Sequence, residues 1–581
     1  MSAPTLLPQP RRARYDGGSI DAIDAEEVDV AVGADLPDEG YRLRIGPAGV
    51  IAEAADVAGQ RHARRTLAQL SAVNDGRWRC GEIVDWPDLA RRGVMLDVSR
   101  DKVPTMATLL DLIDRLASWK INEVQLYTEH TFAYAGHEPV WRDASPFTPD
   151  EIGVVRRHCE QLGITLSANQ NCLGHMERWL MHEPYRQLAL APEGYRLVGM
   201  LPRIPSTMEP NDPRSLDLVR DLLGQLVPLH DSPFLHVGLD EPWELPPERA
   251  HDYLSWLERL RALPELDGKE VLVWGDILAN HPELLGRLPD GVTVCEWGYE
   301  ADSPFDARAE ALAGAGRSWW ACPGTSSWWS VLGRTRNMIG NITAAADAAA
   351  RHGSSGWLVT EWGDNGYLQP LAAAEPGLAY AAAMSWCAES NRDLDLATAL
   401  SAHCWGDRTG RLARAVLSAG DVYLESPTQF PNMAVNVLHL YLPQLPVGSG
   451  LTGGMDAGIF DRIIGTLDDA SDGVRAALVD RADSAVVRDE LLDAFELVRC
   501  MARQGIARCE ADGTLDSIPE SRRMALAGEM DGCIERYRVG WLRRNRPGGL
   551  GDSVGWLVHA RDCLRSGETD PIWSGPWQTK R

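Results

Sequence analysis

The run Phe234-Leu235-His236-Val237-Gly238-Leu239-Asp240-Glu241 is apolar and strand-like until it ends in two adjacent carboxylates, followed by Pro242 and Trp243. Two acids side by side at the mouth of a buried sheet repel each other. Burial there pushes their pKa values apart, so that one donates a proton while the other stays ionised. That is the division of labour of acid–base catalysis near neutral pH. An isolated Asp-Glu pair is more often a solvated loop start, so the weight rests on the rest of the chain.

Eight short apolar runs alternate with helix-length segments between Arg91 and Trp362: Gly93 to Ser99, Glu123 to Glu129, Thr165 to Gln170, Phe234 to Glu241, Glu270 to Asp276, Val292 to Gly298, Ser318 to Gly324 and Gly356 to Trp362. Eight strands alternating with helices predict a parallel (β/α)8 TIM barrel. Met106, Leu109, Leu110, Leu112, Ile113 and Leu116 give the first connecting helix its apolar stripe, and Thr148-Pro149-Asp150-Glu151 opens the next with an N-cap and a first-position proline. Several runs end in polar or aromatic groups: Asp97 and Arg100, Glu129 and His130, Asn169 and Asn171, Trp274 and Asp276, Glu296 and Tyr299, Glu361 and Trp362. Carboxyl ends of barrel strands converge on one face, so these groups predict one polar, aromatic-walled pocket.

Ahead of the barrel, segments 40–45 and 49–52 read as a hairpin around a Gly-Pro-Ala-Gly turn, followed by a helix from about Gly59 to Ala72. Beyond about residue 391 helical periodicity dominates, as in Asp472 to Asp483 and Val487 to Glu510, with an irregular stretch from Glu425 to Asp456. The fold class expected is therefore α/β, a barrel preceded by a small α/β domain and followed by a mainly helical C-terminal domain, with boundaries at 1–88, 89–390 and 391–581. The basic segment 541–550 either buttresses the barrel mouth or makes an intersubunit contact in a homo-oligomer.

A net charge of −26 over 581 residues disfavours nucleic acid and anionic membranes as partners. The first residues lack the apolar core of a secretory signal and no run approaches a membrane span, so the expected location is cytoplasmic. Eleven cysteines without CxxC pairs indicate neither a disulfide framework nor a zinc site, and no metal or other cofactor is expected. Many of the 21 tryptophans, among them Trp274, Trp297, Trp319, Trp320, Trp328, Trp329, Trp357 and Trp362, fall near strand ends, where a flat face can stack on a sugar ring.

Four ordered motifs resemble glycoside hydrolase family 20, the β-N-acetylhexosaminidases. The stretch Tyr41 to Leu70 looks like the non-catalytic domain preceding that family's barrel, and Arg92 to Arg100 is similar to its first barrel strand. Gly174-His175-Met176-Glu177 resembles its histidine motif after the third strand, and His236-Val237-Gly238-Leu239-Asp240-Glu241 its His-x-Gly-x-Asp-Glu signature. The second strand, Leu126 to Tyr134, lacks the histidine-rich pattern of the lysosomal and secreted members. With Val359 to Gly366 it looks more like the hexosaminidase D and streptococcal-type branch, whose members can be intracellular.

The resemblance implies an exo-acting, retaining enzyme that releases terminal β-linked N-acetylglucosamine or N-acetylgalactosamine. Such enzymes use substrate assistance, in which the 2-acetamido oxygen attacks the anomeric carbon and water opens the oxazolinium intermediate. Carried over, Glu241 is the general acid and then base, Asp240 orients the acetamido N–H, and Tyr299 donates to the acetamido oxygen. Trp274, Trp362 and Trp328 or Trp329 wall the acetamido pocket. Arg92, beside Arg91, binds the 3- and 4-hydroxyls through its guanidinium fork. His175 sits near Asp240, Glu129 joins the substrate-binding set, and Asp276, Glu361 and Asp364 bind hydroxyls or anchor loops.

Two rivals stand beside this reading. One is a retaining β-glycosidase acting on 2-hydroxy sugars, with Glu241 as acid and Glu361 or Glu296 as nucleophile, which requires carboxyls only about 5–5.5 Å apart. The other is a catalytically silent sugar-binding protein on the same fold.

Overall fold

The computed structural model describes residues 4–197 and 201–569. Its first layer is a five-stranded sheet of β1 (Arg12–Asp21), β2 (Val30–Val32), β3 (Tyr41–Gly46), β4 (Gly49–Ala54) and β5 (Arg77–Asp85), in the order β1-β5-β3-β4-β2. The expected hairpin is β3–β4, paired from Tyr41 opposite Ala54 to Gly46 opposite Gly49. The helix Val57–Ala72 starts where the Asp56 carboxylate caps the Gly59 N–H, and it buries Ala63, Leu67 and Leu70 on the sheet.

The barrel is closed and parallel. Its strands are β6 (Arg92–Asp97), β7 (Glu123–Tyr127), β8 (Thr165–Asn169), β11 (Phe234–His236), β12 (Glu270–Trp274), β13 (Val292–Trp297), β14 (Trp319–Cys322) and β15 (Gly356–Glu361), with β15 pairing back onto β6. A small antiparallel hairpin, β9 (Tyr195–Leu197) and β10 (Leu201–Arg203), rises from the loop after β8. Seven of the eight barrel strands fall within the runs expected from the sequence and β6 begins one residue earlier, at Arg92, because strands covered on both faces read as continuous apolar stretches. Connecting helices pack outside with strong apolar stripes. Met106–Ser118 buries Leu109, Leu112, Ile113 and Leu116, and Pro149–Leu162 opens with a complete capping box between Thr148 and Glu151. Ten of the eleven free cysteines are buried and Cys509 is half-buried.

Beyond the barrel the long helices are Ala457–Ala476, Ser484–Cys509, Glu520–Arg544 and Leu550–Ser566. The helix expected over Asp472–Asp483 is displaced. Ala477 turns to extended backbone, and Val479 bridges Asp407. The basic segment 541–550 is the end of one helix, a turn and the start of the next. It buttresses the barrel: Arg546 pairs with Glu151 at 2.8 Å, and Arg544 pairs within the helices with Glu490 at 2.6 Å. No helix among the described residues is long and apolar enough to cross a membrane.

Candidate active site

The carboxyl ends of the strands meet at a cavity of about 250 Å³ that Glu241, Glu129, His175, Arg100 and Asp364 line. The loop carrying the acids is bent hard: Gly238, Leu239 and Glu241 all have positive φ (71°, 71° and 46°), as does the facing His175 at 55°. For non-glycine residues that conformation costs about 1–3 kcal/mol each and persists only where surroundings enforce it. Two glycines permit the packing. A Cβ on Gly238 would stand 2.2 Å from Asn171 Oδ1, and one on Gly174 would stand 2.3 Å from the Asp240 carbonyl oxygen.

Polar partners hold the bend. Asn171 Oδ1 accepts from the Leu239 N–H at 3.3 Å while Asn171 Nδ2 donates to Asp240 Oδ1 at 3.1 Å and to the Tyr127 hydroxyl at 3.0 Å. Asp276 Oδ2 accepts from the Glu241 N–H at 3.0 Å. His175 Nε2 lies 3.3 Å from Asp240 Oδ2 and 3.4 Å from Glu241 Oε2, as an ion-pair bridge between the two acids and not as an aligned hydrogen bond to either.

Electrostatics separate the groups. Burial alone would raise the Asp240 carboxyl, but His175, with Arg100 and Asn171, more than offsets it and holds Asp240 below its ordinary value. Burial opposes the charge on His175, yet Asp240 and Glu241 raise it well above the usual imidazole range. An anionic Asp240 thus faces an imidazolium. Burial pushes Asp276 up to about 7, with Asp240 adding to it, and Asp276 Oδ1 is buried without a hydrogen-bond partner.

Arg100 forms the cationic side of the mouth. Its Nη1 is 3.3 Å from Asp97, its Nη2 3.5 Å from Glu129 and 3.3 Å from His175 Nδ1, and its guanidinium lies 4.8 Å from the Tyr127 ring and 4.9 Å from Trp362. Burial raises Glu129 to about 7 and Asp364 to about 6, in both cases against the pull of Arg100.

Asn171 joins Asp240 to Tyr127 of an aromatic cluster in which Trp274, Trp320, Trp328, Trp362 and Tyr127 are buried and Tyr299 is partly buried; like Asp240, these rings pack behind the cavity and are not among its lining groups. Trp362 Nε1 donates to the Tyr299 hydroxyl oxygen at 2.8 Å, the Trp274 and Trp362 ring centroids are 6.0 Å apart, and Trp328 meets Tyr299 edge-on at 5.0 Å. The Trp274 indole N–H is buried without a partner. Trp329 packs on the edge of the cluster and stacks on Tyr441.

Arg92 lies elsewhere, and Glu361 and Asp276 take the loop-anchoring alternative. Arg92, wholly buried at 0% exposure, opens β6 and so sits at the amino end of the barrel, opposite the mouth. There it pairs at 2.6 Å with Glu39, in the turn before β3, donates to the Lys120 and Leu89 carbonyls, and lies over Trp386. Arg100, eight residues on, is the arginine in the mouth. Glu361 accepts from Thr325, Ser327 and Gln369 and faces a second cavity of about 120 Å³ between the barrel and the C-terminal helices. Asp276 is spent on the backbone of Glu241 and is not among the groups lining the mouth. The rival nucleophile Glu296 is likewise committed, to Arg308 at 2.9 Å.

One wall of the cavity has no signature in the sequence. Trp556, from Leu550–Ser566, lines the cavity and lies against Gly366, where a Cβ would stand 2.5 Å from its ring. Asp552 on the same helix pairs with Arg178 at 2.8 Å, and Arg178 in turn holds Asp101 at 3.0 Å. A helical tryptophan with no strand-end context carries no mark of a pocket residue. Among the described residues no cluster of three or more His, Cys, Asp or Glu is arranged to hold a metal ion.

A parallel barrel with adjacent carboxylates at its mouth, a basic flank and tryptophan walls defines a glycoside-processing enzyme. A model of glycosyl hydrolase family 20, domain 2, matches residues 20–86, and a model of the glycosyl hydrolase family 20 catalytic domain matches residues 90–317. Together these matches span just over half of the chain, and the chain belongs to glycoside hydrolase family 20. Hexosaminidase D of Bos taurus is 27% identical over 241 residues, 38% of this chain and 67% of the bovine protein. The matched share of the curated relatives' own length falls as low as 18%. Among solved structures, the β-N-acetylhexosaminidase of Streptomyces coelicolor A3(2) superposes with a TM-score of 0.56 at 21% identity, covering 69% of this chain and 97% of that one. A mutant Streptomyces plicatus β-hexosaminidase in complex with product GlcNAc gives 0.55 at 21% identity over 69% of this chain and 95% of its own.

Proposed function

We propose that this chain is an exo-acting, retaining β-N-acetylhexosaminidase that releases terminal β-linked N-acetylglucosamine or N-acetylgalactosamine by substrate assistance. The observation that carries the proposal is the Asp240 carboxylate held 3.3 Å from His175 Nε2 and joined through Asn171 to the aromatic cluster at Tyr127. A fixed anion beside an apolar cluster suits an acetamido group, whose N–H needs an acceptor and whose methyl needs a dry wall. Asp240 then accepts the acetamido N–H and stabilises the positive charge that develops on nitrogen. The Tyr299 oxygen already accepts from Trp362. Its own proton would hold the acetamido oxygen in attacking geometry. Trp274, Trp328 and Trp362 wall the group, and Glu241 protonates the leaving oxygen before activating water. Arg100, with Asp364 and Glu129, takes the hydroxyl-binding task first expected of Arg92.

Support over the two-carboxylate mechanism comes from Glu296, paired with Arg308, and Glu361, bonded to Ser327 and Thr325, each tied to its own partners. The proposal includes a cytoplasmic location and a three-unit division at 88/89 and 390/391, with hydrolysis in the middle unit. An N-acetylhexosamine-derived thiazoline, which mimics the oxazolinium, should inhibit hydrolysis competitively. Insensitivity to it in an active preparation would overturn substrate assistance.

A further inference from the structure

We propose that the second cavity, between the barrel and the C-terminal helices, is a ligand site of its own for a small monocarboxylate whose apolar body is about one ring in size. The inference is independent of the hydrolysis proposed above. The cavity measures about 120 Å³, close to the roughly 150 Å³ that takes benzene in an apolar interior. Leu109 and Leu112 of the helix Met106–Ser118 and Leu497 of the helix Ser484–Cys509 give it apolar walls. Lys102 is the one cation lining it that has no carboxylate partner among the described residues. Its Nζ donates to the Gln369 carbonyl at 2.9 Å and lies 4.1 Å from the Tyr367 ring centroid and 5.4 Å from that of Trp541. Burial lowers the amine to about 8 against the pull of Glu361 and Glu490, so it is still protonated at neutral pH.

The other charges around the cavity are committed. Arg544 pairs with Glu490 at 2.6 Å, Arg536 with Asp493 at 3.2 Å and Asp97 with Arg100 at 3.3 Å, while Glu361 accepts from Thr325, Ser327 and Gln369. Two ammonium protons of Lys102 are thus left for a ligand oxygen, and a carboxylate answers both the donors and the charge. A phosphate dianion would need a second uncommitted cation, and an amine would be repelled by Lys102. The C-terminal helix leaves room for the ligand's body. Cys533, Tyr537, Gly540 and Arg544 of the helix Glu520–Arg544 fall on one stripe, at spacings of four, three and four residues, and all line the cavity. A Cβ added at Gly540 would meet nothing within 4 Å. Glycine is the poorest helix former after proline, so its place in this stripe weakens the helix and widens the cavity. Arg536 and Asp493, with side chains 42% and 31% exposed, mark where the cavity reaches solvent.

The test is calorimetric titration of the full chain with benzoate, benzamide and benzylamine, which share the ring and differ in charge. Wild type, Lys102→Met and Gly540→Leu are compared, and the unfolding midpoint of each is measured to show that it folds. The expected result is one benzoate bound per chain, with a Kd roughly ten- to 150-fold lower than that of benzamide, the worth of a hydrogen bond to a charged group, and no binding of benzylamine. Lys102→Met should remove the preference for benzoate, and Gly540→Leu, whose side chain takes the same space, should remove binding from a chain that still folds. Benzoate binding that survives Gly540→Leu would put the ligand elsewhere, as beside Arg100 at the mouth, and overturn the site. A preference that persists in Lys102→Met, or a wild type that favours benzylamine or binds none of the three, would overturn it as well. Each of these results leaves the hydrolase reading intact.

Discussion

Asp276 offers a sharp test of how the acid is held. Its Oδ2 accepts from the Glu241 N–H at 3.0 Å, and Glu241 sits in a left-handed backbone conformation at φ 46°. Truncation to alanine strands a partly buried N–H, at about 1–3 kcal/mol, and frees the bend that aims the carboxyl. If that energy appears as misplacement of the acid, turnover falls by about 5- to 150-fold. Asparagine keeps an oxygen acceptor and mimics the neutral form that burial favours in a group held near 7. The assay sets methyl against 2,4-dinitrophenyl glycosides of N-acetylglucosamine. The alcohol leaving group needs the proton and the phenolate does not, so Asp276→Ala should lose about 10²-fold on the first and much less on the second, while Asp276→Asn stays within a few fold on both. Equal losses on the two leaving groups, or an asparagine variant as damaged as the alanine one, would refute the positioning role.

Other consequences can be measured on the same preparations. Arg92→Ala should lower the unfolding midpoint, because breaking a buried pair costs about 3–5 kcal/mol, with kcat/KM of the folded fraction within about threefold. Arg100→Lys should do the reverse, lowering kcat/KM about tenfold or more through loss of the planar fork; a Michaelis defect in Arg92→Ala matching that of Arg100→Lys would contradict the placement of these arginines. Stability should also depend on pH. Burial holds Glu123, Glu129 and Asp276 near 7 and Asp364 near 6, so the folded state keeps protons that the unfolded chain releases, and stability falls as pH rises from about 4 through about 7. Glu39 and Asp483, held near 2 by arginine partners against the cost of burial, act oppositely and are lost only as pH falls below about 4. Burial holds His62 and His439 near 3 and His230 near 4, so they take up protons only on unfolding and lower stability below about pH 6.5. The unfolding midpoint should therefore fall from about pH 6.5 to about pH 8, where the carboxyls near 7 still release protons, and no fall over that interval would show that these carboxyls do not stay neutral in the fold.

The barrel was legible because its strands are covered on both faces and end abruptly in polar groups, and Asp240, Glu241 and His175 came with it. Arg92 was misplaced because Arg92 and Arg100 bracket the same strand, and only three-dimensional direction tells the amino end from the mouth. Glu39, its real partner, is 53 residues away across a domain contact. The edge strand β1 escaped notice because its side chains are mostly exposed and it lacks an apolar face. Trp556 reaches the mouth from the far end of the chain, and Asp552 reaches Arg178 at its edge, through helix packing that no local pattern encodes.

The central claim is that Asp240 orients a substrate acetamido group. The most direct measurement is hydrolysis of 4-nitrophenyl β-glycosides of N-acetylglucosamine, N-acetylgalactosamine, glucose and galactose by wild type and Asp240→Asn. The account predicts activity confined to the acetamido sugars, with a loss of about 10²-fold or more in the variant, as expected when a pre-organised electrostatic partner of the transition state is removed. Comparable wild-type rates on the 2-hydroxy sugars, or an undiminished Asp240→Asn enzyme, would contradict it.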